Sequence, residues 1–276
     1  MNEHNNKSVT GYTDANAVYK LSALLSGSLS FGLFAAQDDA GNRFLATTTL
    51  KQTASHEEVH RKLVYDVEGI APLVYIGRLH AAKPTDFDLM IEQMPLGIPS
   101  HLVGKGIAEP ATVARLGASI AAAVERLHAQ RQPLLCLRPQ SIYVMDEGDS
   151  NIQLTGMAPR AECFYFSAEK PDLHTPLAFD DTFVAPEVLL GLEPDSKADL
   201  FSLCAIMAFW LTGRSPFDGK GYLGHVKGIM GNKRAYHLPA DELGQLLESG
   251  LDSQVANRPK FSELKHGLRS IAEKGY

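Results

Sequence analysis

The 276-residue chain is 45% hydrophobic and 21% charged, the balance of an ordinary globular protein long enough for one large domain or two lobes. Its net charge of −6 argues against a nucleic-acid-binding face, and its longest apolar run, Ala205–Leu211, is far short of the roughly 20 residues of a membrane span. Three scattered cysteines without a CxxC pair, ten histidines without HExxH, and a polar start without an apolar signal core point to reduced thiols, a cytoplasmic setting and no metal site.

Taken in order, residues 1–11, rich in Asn, Lys and Ser, are expected to be disordered. Strand-like runs follow at Tyr19–Leu25, Leu33–Ala36 and Phe44–Leu50. The sequence Asp38-Asp39-Ala40-Gly41-Asn42 reads as the hairpin turn between the last two. Between the first two lies Gly27-Ser28-Leu29-Ser30-Phe31-Gly32, a weak glycine-loop signal that by itself is a turn. His56–Glu68 has a capping box, Ser55 with Glu58, and an apolar stripe of Val59, Leu63, Val64 and Val67, so it reads as a helix. Strands are expected at Leu73–Arg78 and Phe87–Glu92, then a break at Pro95–Pro99 that divides a mostly β lobe (12–94) from a mostly helical one (99–276).

In the second lobe a long helix begins at Glu109, with Pro110 suited to its first turn, and runs to His128. The stretch Ser141–Val144, Asp146-Glu147-Gly148-Asp149, Asn151–Leu154 reads as a hairpin. Pro159–Phe183 is irregular, with an aromatic group at Cys163-Phe164-Tyr165-Phe166. Ala185-Pro186-Glu187 leads into a short helix, and Ser196–Leu211, apolar on most faces, reads as a buried central helix with Asp195 or Ser196 as N-cap. Further helices are expected at Tyr222–Met230, Asp241–Ser249 and Phe261–Lys274.

Several motifs then fall into one series. Phe183-Val184-Ala185-Pro186-Glu187 is followed by Asp199-Leu200-Phe201-Ser202-Leu203-Cys204, by Leu211-Thr212-Gly213-Arg214-Ser215-Pro216-Phe217 and by Asn257-Arg258-Pro259, with Leu127-His128 upstream. From Tyr19 to Ile271 the chain resembles the protein kinases, and among them the bacterial eukaryotic-like Ser/Thr kinases. The resemblance implies an α+β bilobal protein kinase-like fold: an N-terminal antiparallel β-sheet lobe with helix C, and a mostly helical C-terminal lobe. It also implies that Glu187 pairs with Arg258, and that Asp199 accepts hydrogen bonds from the backbone at Leu134–Leu135.

The same frame implies that the chemistry is gone. Phosphoryl transfer is mostly positioning and charge neutralisation. Thr48 stands where the family has its phosphate-binding lysine, whose usual glutamate partner falls at Arg61 or, one residue earlier, His60. Cys136 takes the position of the catalytic aspartate, and Ser141 and Gly156 those of the Mg²⁺-binding asparagine and aspartate. Hard cations want carboxylate oxygens, which neither metal position offers. Arg138 keeps a positive charge beside them, and Asp180 replaces a threonine usual in the activation segment. The acids Asp146, Glu147 and Asp149 read as a solvated turn, and Cys136 as a buried thiol with no histidine near it.

In the nucleotide pocket Gly27, Gly32 and Ala46 remain, with Glu92 at the hinge. Leu29 takes the second glycine's place, and Phe34 and Tyr143 bring two aromatic rings where the family uses aliphatic side chains, so the pocket is expected to be self-filled. Leu134 and Met157 keep apolar the positions of the family's histidine and phenylalanine, suggesting a permanently assembled core. The expected function is therefore that of a pseudokinase, with no cofactor or metal, working through a protein partner: a conventional kinase, a signalling domain or a second copy. The surfaces considered for it are Cys163–Phe166, His56–Glu68 and Tyr222–Met230. The alternatives are a nucleotide-binding switch without phosphotransfer, or an enzyme of altered chemistry in the old cleft.

Overall fold

A computed structural model of the chain describes residues 9–12, 17–27, 32–49, 69–81, 87–100, 109–129, 137–145, 152–155, 182–190, 192, 194–217, 221–231, 235 and 237–275. The chain divides into two units, Met1–Leu96 and Gly97–Tyr276.

In the first unit six strands close into an antiparallel barrel in the order β1-β2-β3-β4-β6-β5: β1 Val9–Tyr12, β2 Val18–Gly27, β3 Gly32–Asp38, β4 Arg43–Thr49, β5 Leu73–Ala81 and β6 Phe87–Gln93. Five of them lie where β-branched, aromatic and aliphatic runs place them. The sixth corrects the expectation of a disordered start. Val9–Tyr12 pairs with β2, Val9 opposite Leu21, and with β5, Gly11 opposite Ala81. Averaged composition hides this segment, because polar residues precede it. Locally, Val9, Thr10 and Tyr12 suit a strand, and pairing on both sides leaves the barrel without an open edge.

The turn between β3 and β4 forms as its residues require. Gly41 has a φ of 87°, and Asp38 accepts from the Asn42 backbone N–H and side-chain amide, both at 2.8 Å. One sheet face gathers Tyr19, Leu21, Phe34, Ala36, Ala46 and Ile91, with Leu24, Phe44 and Tyr75 against them, and the Tyr19 and Phe44 rings meet edge-on at 5.6 Å. Residues 51–68, where a helix was expected, lie outside the described set.

The second unit is helical apart from a small sheet. Its helices are α1 Pro110–His128, α2 Pro186–Leu189, α3 Ser196–Thr212, α4 Gly221–Met230, α5 Glu242–Gly250 and α6 Phe261–Lys274. The expected break at Pro95–Pro99 ends in strand: β7, Ile98–Pro99, pairs with β8, Ile142–Val144, which pairs with β9, Ile152–Leu154. Helix α3 is the axis of this unit, with every residue from Ala198 to Trp210 buried. Asp195 caps it by accepting from the Lys197 N–H at 2.7 Å, and Gly213 ends it at a φ of 71°. Helix α1 packs on α3 and α6. A Cβ at Gly117 would come within 2.6 Å of the Met207 side chain, which is why a glycine sits at that crossing. Lys265 of α6 bonds Glu125 of α1, and Lys274 bonds Glu242 of α5 at 2.6 Å.

Candidate functional site

In the barrel unit, Gly27 and Gly32 face each other as the last pair of β2 and β3, and Leu29 lies outside the described residues. Phe34 stands directly opposite Ala46, which stands opposite Ile91, and all three are buried in one cluster. The Phe34 ring is thus part of the barrel's own packing. Thr48 is in β4 opposite Leu89, and Glu92, fully buried in β6, is opposite Leu45.

In the helical unit the segment Arg138–Ser141 forms a tight turn. Pro139–Ser141 forms one 3-10 turn in which the Ser141 N–H donates to the Arg138 carbonyl at 3.0 Å. Ser100 Oγ donates to the Pro139 carbonyl at 2.7 Å, and the Thr155 N–H donates to the Ser141 carbonyl at 2.9 Å, so both neighbouring strands hold the turn. Arg138 is 1% exposed, and its Nε donates to Ser141 Oγ at 3.0 Å. The two residues that the resemblance set at phosphate- and metal-facing positions are hydrogen-bonded to each other. Tyr143, the next residue but one, is buried in β8. Cys136, Gly156, Leu134, Met157, the acids 146–149 and the aromatic segment 163–166 lie outside the described residues. Among the described residues no cluster of three or more His, Cys, Asp or Glu is arranged to hold a metal ion.

The structural residues of the series are brought together. Arg258 reaches Glu187 through two bonds, of 2.6 and 2.8 Å, with Arg258 2% and Glu187 6% exposed. Its Nε donates to the Asp252 carbonyl at 2.8 Å and its Nη1 also to the Lys197 carbonyl at 3.1 Å. Its guanidinium carbon lies 4.8 Å from the centre of the Phe201 ring. The guanidinium is thus held by a carboxylate, two carbonyls and an aromatic face, the set that makes a buried Arg tolerable.

For Asp199 the structure adds a partner that the sequence reading missed. The backbone at Leu134–Leu135 is outside the described residues, but His128, at the end of α1, donates from Nε2 to Asp199 Oδ2 at 2.8 Å. The His128 ring also meets Phe261 of α6 edge-on at 5.0 Å, so one side chain ties three helices. The signal is Leu127-His128, which stands in the motif series only as its upstream member. A second missed residue, His225 of α4, is 1% exposed and lies edge-on to Phe217. Its spacing from Val226 and Ile229, both buried, is the only trace of this in the sequence.

No protein-family model matches the chain. Its relatives are protein kinases. Serine/threonine-protein kinase 12 of Arabidopsis thaliana is 29% identical over 206 residues, covering 71% of this chain and 43% of that protein. Serine/threonine-protein kinase PkaB of Streptomyces coelicolor is 35% identical over 91 residues, 32% of this chain and 22% of the relative. Beta-adrenergic receptor kinase 1 of Mesocricetus auratus is 31% identical over 211 residues, 74% of this chain and 29% of the relative. The chain therefore spans less than half the length of these relatives. Among solved structures, Rad53 1-466 in complex with AMP-PNP superposes with a TM-score of 0.67 at 15% identity, over 91% of this chain and 64% of that one. Motif series, relatives and superposition agree: the chain has a protein kinase-like fold and is related in sequence to Ser/Thr protein kinases.

Proposed function

We propose that this chain is a pseudokinase that acts in the cytoplasm by binding a protein partner and transfers no phosphate. The observation that carries the reading is the Arg138–Ser141 contact. The residue at the metal-binding asparagine position is a buried serine whose hydroxyl accepts from a buried arginine. A hydroxyl so engaged is a poor ligand for Mg²⁺, which demands near-ideal octahedral oxygen geometry. Thr48, Cys136 and Gly156, at the lysine, base and second metal positions, remove the remaining charges. Loss of a general base alone costs roughly 10²–10⁴ in rate. Phe34, packed against Ala46, supports weak or absent adenine binding.

With transfer removed, what the fold still offers a signalling pathway is a stable surface. The partner is a conventional kinase, a signalling domain or a second copy of the chain. The test is thermal unfolding with ATP, with and without Mg²⁺, beside a radiolabelled phosphotransfer assay. A ligand at 100 times its Kd stabilises by roughly 2.7 kcal/mol, a shift of several degrees in a chain of this size. The expected result is no shift and no transfer. Transfer would overturn the reading, and a shift without turnover would replace it with a nucleotide-binding switch.

A further inference from the structure

Helix α4 is held by an aromatic column. The Glu187–Arg258 pair lies against Phe201, Phe201 stacks on Phe217 at 5.8 Å with planes 7° apart, and Phe217 meets His225 at 6.1 Å and 88°. Helix α2, which carries Glu187, also packs against α4. At the end of this column His225 is the only fully buried histidine among the described residues, and neither ring nitrogen has a hydrogen-bond partner of good geometry among them. A neutral imidazole tolerates such a site and an imidazolium does not.

The charged groups on the elements packed around it are Glu187, Arg258, Lys197 and Asp199, with Lys227 exposed on α4 itself. Glu187 and Arg258 are bonded to each other, Asp199 to His128, and Lys197 to the Val255 and Ala256 carbonyls. Among the described residues, then, each carboxylate near the column is already engaged by another side chain.

We propose that His225 is an acid-sensitive latch: neutral, it seals α4 onto Phe217, and protonated, it releases α4 while the rest of Gly97–Tyr276 stays folded. Burial pushes the His225 pKa from 6.5 down to about 4, the Phe217 backbone offsetting part of the effect. A base whose folded pKa is depressed is held fully above its ordinary pKa, and its contribution fades as pH falls from there toward the folded value. Opening α4 restores the ordinary pKa, so these two values raise the opening constant roughly twentyfold between pH 7 and pH 5.

Hydrogen exchange read by mass spectrometry on the full chain tests this, with rates corrected for the intrinsic effect of pH. In the wild type, amides of Gly221–Met230 should lose about twentyfold protection at pH 5, while those of α5 and α6 keep theirs. The His225→Phe variant keeps a ring against Phe217 and cannot titrate, so its α4 should hold its protection at both pH values. Unchanged α4 protection in the wild type, or an equal loss in the variant, would overturn the proposal. Should the phenylalanine variant not fold, His225→Leu repeats the comparison. NMR titration of the His225 ring in the native protein is the independent readout: a midpoint near 6.5 sinks the latch, and one well below it supports it.

Discussion

The Glu187–Arg258 pair allows a quantitative test of how the helical unit is held. Arg258 makes two bonds to Glu187, one to the Asp252 carbonyl and one to the Lys197 carbonyl, and covers the Phe201 ring, all while 2% exposed. Replacing it with Met keeps the apolar stem against Phe201 and strands the Glu187 carboxylate, itself 6% exposed, without its cation. Breaking a buried pair from one side costs about 3–5 kcal/mol, so Arg258→Met and Glu187→Met should each fall in that range. The double variant leaves no lone charge, and its loss should be about 1–3 kcal/mol short of the sum of the single losses. The assay is urea unfolding followed by fluorescence. Trp210, the chain's single tryptophan, is buried in α3 and so reports on this unit. Strictly additive losses, or single losses below about 1 kcal/mol, would refute the view that the pair works as one buried unit.

Three further outcomes follow from the geometry. His128→Leu leaves fully buried Asp199 without the donor at 2.8 Å and should cost about 1.5–3 kcal/mol, read by the same fluorescence. Gly244→Ala puts a Cβ 1.8 Å from the Pro239 carbonyl oxygen, a backbone atom, and should destabilise by roughly 1–3 kcal/mol in chemical denaturation; Gly267→Ala meets only the flexible end of Leu246 at 3.0 Å and should be neutral or better. The depressed pKa of His225 contributes stability that is complete above pH about 6.5 and lost toward pH about 4. At about 1.4 kcal/mol per unit this is worth roughly 3 kcal/mol, and the slope of unfolding free energy against pH should lessen in His225→Phe.

Much of the molecule was legible from local chemistry. Pro110 at a helix start, Asp195 as a cap and Asp38 to Asn42 as a turn are choices made by a few adjacent residues, so they read directly from the chain. The buried helix α3 announced itself by being apolar on most faces. The pairing of Glu187 with Arg258 was implied by the family resemblance that the motif series carries, a contact that local pattern cannot encode. What the chain did not announce are meetings between distant segments that no periodicity carries. Val9–Tyr12 becomes a strand because β2 and β5 both pair with it, and its few strand-suited side chains do not name those partners. His128 finds Asp199 across 71 residues, and His225 is buried by an aromatic column assembled from four segments. Composition and spacing therefore determined the elements, and the family resemblance the frame in which they are read, while tertiary structure decided which polar groups are sealed from water and what each is bonded to there. For Arg138 and Ser141 that decision made the two residues partners of each other.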